Sequence, residues 1–319
     1  MKFKTIHLLI IFAVLLTVVF VIKKISVKKK EGSLRTEFFF INYDKISKFT
    51  IIPQFDKNKE FSIVKENDKW YVELGQNLKA ETNTEFFDRS LKELKKLKPS
   101  RLASNEKEKW AEYGVDSLGT ILEITDDQAT HKIILGSLSF QNQQTVNAYV
   151  RIPEETKTYA CESYMEGTFK SDKSQWRKRK VIEMPKSVWA NISFNSTKGI
   201  NLNLNKKENA WLLNNKTIDS IQIIEFITSL EKLNQQGFAD NSTVILLPKS
   251  DFSLVIQNKE NTILTTLDFY KTKSSWILGS SINEGNYFAI NKETMSKLSE
   301  VINEFSLKTS NSPFVAIPD

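Results

Sequence analysis

The spacing of hydrophobic positions changes several times along this chain, and each change marks a different element. From Ile6 to Ile22 the run is apolar and uncharged; Lys2 and Lys4 precede it, and Lys23, Lys24, Lys28, Lys29 and Lys30 follow. At about 1.5 Å per residue, a helix of this length spans roughly 26 Å, near the thickness of a bilayer's hydrocarbon layer, and flanking lysines can snorkel to the interface. The expectation is an uncleaved single-pass anchor over residues 6–25, carried by Ile6, Leu9, Phe12, Leu16, Phe20 and Ile22 with Lys23 and Lys24 at its boundary. A signal peptide and a buried core helix are the alternatives, but no small-x-small cleavage pattern follows the run.

A tail (1–5) precedes the anchor and a linker (26–43) follows it. The pattern then turns to short alternation. Ile46–Ile52, Glu60–Lys65 and Lys69–Leu74 read as strands, with Asn67-Asp68 as the hairpin turn between the last two. A helix is predicted from Glu85 to Lys98, capped by Asn83 or Thr84 and stopped by Pro99, with Phe86, Phe87, Leu91, Leu94 and Leu97 on one face. Strands follow near Thr120–Thr125, His131–Leu135 and Val146–Ile152, and another starts at Tyr159. A second helix spans Ile218–Leu233, with Ile221, Ile224, Phe226, Ile227, Leu230 and Leu233 as expected buried positions.

The second half repeats landmarks of the first. Leu202 to Trp211 copies the strand, polar turn and tryptophan of Phe61 to Trp70. Ile277-Leu278-Gly279-Ser280 is identical to Ile134-Leu135-Gly136-Ser137, lying 66 residues after Trp211 where the first lies 64 after Trp70. Tyr149 and Tyr287 follow at similar intervals. Ordered landmarks at near-constant spacing predict an internal duplication. The predicted fold class is α+β: an N-terminal transmembrane helix, then two repeated antiparallel-sheet-plus-helix units over 44–184 and 185–319. The gaps between strands are too short for βαβ crossovers.

Charge changes the picture only at the N-terminus. The formal net charge is +7, yet seven of the 45 basic residues lie in the first thirty positions, where there is no acid. The other 38 face 38 acidic residues, so the body is neutral and carries no electrostatic footprint for nucleic acid. The lysine-rich flank would meet membrane lipid. It leans by charge toward a cytoplasmic body, but long domains translocate largely regardless of charge, so orientation stays open.

Candidate chemistry is sparse. His7 and His131 cannot build a histidine metal site or a conventional triad, and no phosphate-cradling glycine loop occurs. Catalytic, cofactor and metal residues are therefore expected to be none. Cys161, the single cysteine, reads as a buried small hydrophobe. Asp126-Asp127 and Glu154-Glu155 keep open a carboxylate-pair hydrolase. The basic join, Trp176-Arg177-Lys178-Arg179-Lys180-Val181-Ile182, reads as a connector whose Trp176, Val181 and Ile182 pack while its charges face water; phosphate or an acidic partner is the alternative.

Taken together, these features resemble a bacterial membrane-anchored family called domain of unknown function 4340. The likeness rests on the apolar segment with its lysine flank, the strand Ile46–Ile52 and the turn-and-tryptophan element Lys65–Trp70. It continues through Tyr113-Gly114-Val115-Asp116, Ile133–Gly136, Tyr149-Val150-Arg151 and the join at Trp176–Ile182. The second half has no clear Tyr-Gly-Val-Asp counterpart. The resemblance implies a non-enzymatic accessory or scaffold protein with its body outside the bacterial cytoplasmic membrane. Its implied partners are integral-membrane subunits of an ABC-type export system, of the kind associated with gliding motility. An envelope hydrolase using a carboxylate pair is the alternative, and any small-molecule ligand is unknown.

Overall fold

The computed structural model describes residues 35–310 apart from 54–58, 141–145, 164, 170–171, 209, 240–243, 245–246, 248 and 274. The expected anchor, with Ile6, Leu9, Phe12, Leu16, Phe20, Ile22, Lys23 and Lys24, lies outside the described residues. Among the described residues no helix is long and apolar enough to cross a membrane.

Two antiparallel nine-stranded sheets carry the fold. The first takes β1 (Lys48–Pro53), β2 (Phe61–Glu66), β3 (Lys69–Gly75), β4 (Leu78–Glu81), β5 (Arg101–Ser104), β6 (Thr120–Thr125), β7 (Thr130–Phe140), β8 (Val146–Arg151) and β9 (Thr158–Glu162). Its spatial order is β4-β3-β2-β1-β6-β7-β8-β9-β5. The second takes β10 (Asn191–Ser196), β11 (Asn201–Lys207), β12 (Ala210–Leu213), β13 (Lys216–Thr217), β14 (Gly237–Phe238), β15 (Phe252–Gln257), β16 (Ile263–Lys271), β17 (Trp276–Ser280) and β18 (Tyr287–Ile290). Its order, β13-β12-β11-β10-β15-β16-β17-β18-β14, repeats that of the first, strand for strand.

Local chemistry explains the hairpins. Asn67 and Asp68 (φ 48° and 62°), Gln76 and Asn77 (51° and 62°), and Asn214 and Asn215 (45° and 68°) form two-residue loops. Positive φ at both central residues matches the right-handed twist of the strands they join, and asparagine and aspartate tolerate it best among side chains other than glycine.

Helix α1 (Thr84–Lys96) follows β4, and α3 (Ser220–Glu231) follows β13, at the same point of each repeat. Asn83 caps α1 by accepting from the Phe86 amide at 3.1 Å, and Asp219 caps α3 by accepting from Ile221 at 2.8 Å. A short α2 (Met165–Phe169) ends the first half, and α4 (Lys292–Ser310) ends the second. Helix α4 is absent from the expected elements, although its buried Met295, Leu298, Ile302 and Phe305 recur at helical intervals along one face, with Val301 beside them.

The core of the second half is one cluster that includes Ile192, Phe194, Leu204, Trp211, Phe226, Leu230, Phe269, Leu278, Leu298 and Phe305. Phe226 of α3 meets Phe305 of α4 edge-on at 5.5 Å. Helix α3 is rotated from the expected phase: Ile223, Phe226 and Leu230 are buried, whereas Ile221 and Ile224 are 63% and 62% exposed. Five isoleucines and phenylalanines crowd this helix, so its apolar stripe is too wide for spacing to choose the buried side.

Packing divides the chain into two compact units, one drawn from Met1–Glu60 and Asp88–Ser171, the other from Phe61–Phe87 and Asp172–Asp319. Strands β2, β3 and β4 thus group with the second unit.

Candidate functional site

The tryptophan landmarks hold equivalent places. Trp70 on β3 pairs across from Lys65, and Trp211 on β12 pairs across from Lys206. Trp211 is buried in its core, whereas Trp70 is half-buried with its ring 4.5 Å from that of Phe87.

The glycine and tyrosine landmarks do not coincide with the repeat. Gly136 lies on β7 but Gly279 on β17, and Tyr149 lies on β8 but Tyr287 on β18; each pair is one strand out of step in the sheet order. Strands β1 and β6 pair six residues on six, as do β10 and β15, which aligns the two registers. Leu135 then corresponds to Phe269 and Val150 to Leu278. It follows that Tyr270 stands where the first sheet has Gly136, and Gly279 where it has Arg151. The identical tetrapeptides therefore lie on non-equivalent strands of the two sheets.

That exchange defines a node of the first half that has no counterpart among the described residues of the second. Gly136 leaves room for the backbone of the Tyr113-Gly114-Val115 turn, and the Ser137 amide donates to the Tyr113 carbonyl at 2.8 Å. Arg151, only 6% exposed, donates from Nε to the Val115 carbonyl at 3.1 Å. Its Nη1 donates to the carbonyls of Ile152, Pro153 and Glu155 at 3.4, 3.0 and 3.3 Å. The guanidinium stacks 3.8 Å from the Trp110 ring centre, and Tyr113 packs 4.5 Å from Tyr149. Burial pulls the Arg151 pKa down, with Glu154 and Asp116 opposing. In the second half, Tyr287 lies directly across from Gly279, with its ring 6.2 Å from Tyr270. Burial, aided by Asp268, pushes the Tyr270 hydroxyl up to about 12.

One member of each carboxylate pair is engaged. Asp126 accepts backbone hydrogen bonds from Gln128 and Ala129 at 2.9 Å and from Asn42 at 3.1 Å, and sits 3.3 Å from His131 Nε2. The Ala129 and Gln128 amides hold its carboxyl well below the usual range. Glu155 pairs with Arg35 at 2.9 Å. Cys161 is buried, and desolvation pushes its thiol up to about 12. Among the described residues no three histidine, cysteine or acidic side chains gather to hold a metal.

The basic join is more deeply set than its charge suggested. Trp176, Val181 and Ile182 are buried as expected, but so is Arg177. Its backbone bridges to Thr82 beyond β4, and Asn83 N–H donates to the Trp176 carbonyl at 2.8 Å. Asparagines hold the rest of the link. Asn234 Oδ1 accepts from the Val181 and Ile182 amides, and Asn283 donates to the carbonyls of Lys178 and Lys180. Asn286 donates to the Glu81 carbonyl at 2.9 Å. Gly285, at φ +71°, lies so close to the backbone of Lys79 and Ala80 that no side chain fits there. Lys178 is half-buried, pairing with Glu81 at 3.3 Å and Glu183 at 3.1 Å. These asparagines carried no sequence signal, because in a chain rich in asparagine none stands out.

Between α3 and α4 an open groove of about 420 Å³ is lined by Ile224, Thr228 and Val301, with Lys232, Lys297, Glu300 and Glu304 at its rim.

The chain is therefore a duplicated antiparallel α+β protein whose second half presents a paired-helix surface. It belongs to the family described as Domain of unknown function (DUF4340), whose model matches residues 83–249. Neither a curated protein nor a solved structure matches it.

Proposed function

We propose that this protein is a single-pass, membrane-tethered, non-enzymatic accessory or scaffold subunit in bacteria. Its body would lie outside the cytoplasmic membrane and bind integral-membrane subunits of an ABC-type exporter, as the family resemblance implies. The observation that carries the reading is the apolar surface of α3, where Ile221 and Ile224 are more than half exposed beside the groove with α4. Ile221 and Ile224 are neighbours one turn apart on α3 and offer a partner a small apolar face. The apolar segment Ile6–Ile22 supports the tether, which would confine that surface to the membrane plane and raise its effective concentration for membrane partners. Against the hydrolase alternative, one carboxylate of each pair is already engaged, Asp126 by backbone amides and Glu155 by Arg35.

The test is affinity purification of the full chain in mild detergent beside a version lacking residues 1–30. Recovery of a transporter subunit with both supports the reading. Recovery with neither, together with hydrolysis of an envelope polymer, would favour the enzyme. Side of the membrane is tested separately by placing a cysteine at Asn311 and labelling intact spheroplasts with an impermeant thiol reagent. Protection until lysis would place the body inside.

A further inference from the structure

Two arginines of the join, Arg177 and Arg179, converge on one aromatic ring. Their guanidinium carbons lie 3.8 and 4.9 Å from the centre of Phe238, which itself stacks on Phe288 at 5.1 Å. Arg177 is only 6% exposed, and its one side-chain hydrogen bond among the described residues is from Nε to Asn286 Oδ1 at 2.8 Å. Arg179 is exposed. Neither makes an ion pair among the described residues, although Lys178 between them pairs with two glutamates. Two like charges held near one ring, one of them stripped of water, repel each other. That repulsion adds to desolvation in lowering the Arg177 pKa to about 10. A face of aromatic π-density offsets part of this cost, but a bidentate oxyanion offsets more.

Hydrogen bonds fix the backbone around the pair and one side of the Arg177 guanidinium. Asn283 holds the carbonyls of Lys178 and Lys180 on either side of Arg179, and Asn286 fixes both Arg177 Nε and the Glu81 carbonyl. Among the described residues, the Nη groups of Arg177 and the whole fork of Arg179 have no hydrogen-bond acceptor. We propose that Arg177 and Arg179 form an anion site for a phosphate group, held between the two guanidiniums beside Phe238. Arginine forks match carboxylate and phosphate oxygens alike, but a phosphate has enough oxygens and enough charge to meet two guanidiniums at once, which a halide or a lone carboxylate lacks. The phosphate could belong to a free phosphate ester or to a phospholipid headgroup.

The experiment uses the full chain in a phosphate-free maltoside detergent. Thermal unfolding is followed with sodium phosphate, and separately with soluble dihexanoyl-phosphatidylglycerol, each against sodium chloride at equal ionic strength. At about ten times the dissociation constant, a bound ligand should raise the midpoint by about 2–4 °C. Arg179→Gln, an exposed change that leaves the fold intact, should weaken binding at least tenfold, as should Arg177→Lys; Lys207→Gln should not. An Arg179-dependent shift with inorganic phosphate assigns a free phosphate, and one with the lipid alone assigns a headgroup. No shift in the wild type, or an equal shift in Arg179→Gln, overturns the proposal.

Discussion

The carbonyl of Tyr113 occupies the space that a side chain on Gly136 would fill. A methyl group there must push the turn off β7 and break the Ser137–Tyr113 hydrogen bond. Gly136→Ala should therefore cost about 3 kcal/mol. Gly279→Ala places its new carbon 3.2 Å from the edge of the Tyr287 ring, which can give way, and should cost less than about 1.5 kcal/mol. Chemical denaturation of both variants checks the difference. Equal costs would mean that the two glycines are equivalent after all.

Arg151 makes a second, linked prediction. It ties four carbonyls together under Trp110, so Arg151→Ala should destabilise by about 3 kcal/mol. Arg151→Lys should recover less than half, because an ammonium cannot reproduce the planar fork or its stacking. The lysine variant matching wild type in a urea melt would argue that charge alone matters here.

Trp70 and Trp211 sit at matching places but in unequal surroundings. Trp211 is 9% exposed within the core, so Trp211→Ala should cost about 3–5 kcal/mol. Trp70 is half-buried against Phe87, so its loss should cost nearer 2 kcal/mol. Paired melts of the two variants decide this, and a larger loss at Trp70 would contradict the packing.

Much of the architecture was legible in the sequence because the first half obeys local rules. Asn67-Asp68 specifies its hairpin, Thr120–Thr125 alternates cleanly, and Asn83 caps a helix whose apolar face is narrow. The matched hairpins at Trp70 and Trp211 revealed the duplication. Identity at Ile134–Ser137 and Ile277–Ser280 suggests a register that the sheets do not have, because the two segments lie on non-equivalent strands. Helix α4 is legible in the same terms, since Met295, Leu298, Ile302 and Phe305 recur at helical spacing. What was least legible is the join: its lysines and arginines promised a solvated run. Burial of Arg177 depends on Asn283, Asn286 and Gly285, about a hundred residues away in the chain.

Asp126 gives the body an acid limit. Its carboxyl is held below its unfolded value of about 4 by the Ala129 and Gln128 amides. A depressed folded pKa means that the stabilisation is complete above the unfolded pKa and lost as pH falls toward the folded one. Wild-type stability should therefore decline as pH drops below about 4, through this group among others. Asp126→Asn should be less stable at neutral pH and should show a shallower decline in acid. Parallel declines for the two proteins in pH-dependent urea melts would remove Asp126 from the acid limit.

The last prediction concerns the exposed face of α3. Ile221 and Ile224 make no part of the second half's core, yet they keep two β-branched apolar side chains in water on a helix whose other side is already packed. If folding needed them, replacing them would be costly. Surface substitutions of this kind usually change stability by no more than about 0.5 kcal/mol. Ile221→Lys and Ile224→Lys, alone or together, should therefore leave the melting curve of the full chain nearly unchanged, and the charged side chains should prevent close apposition of an apolar partner. The same double variant should then lose the membrane partner in detergent affinity purification, while Lys207→Gln, on a different part of the second half, retains it. Undiminished recovery with the double variant would move the contact off this helix, and a large drop in stability would show that the face is packed in the native protein.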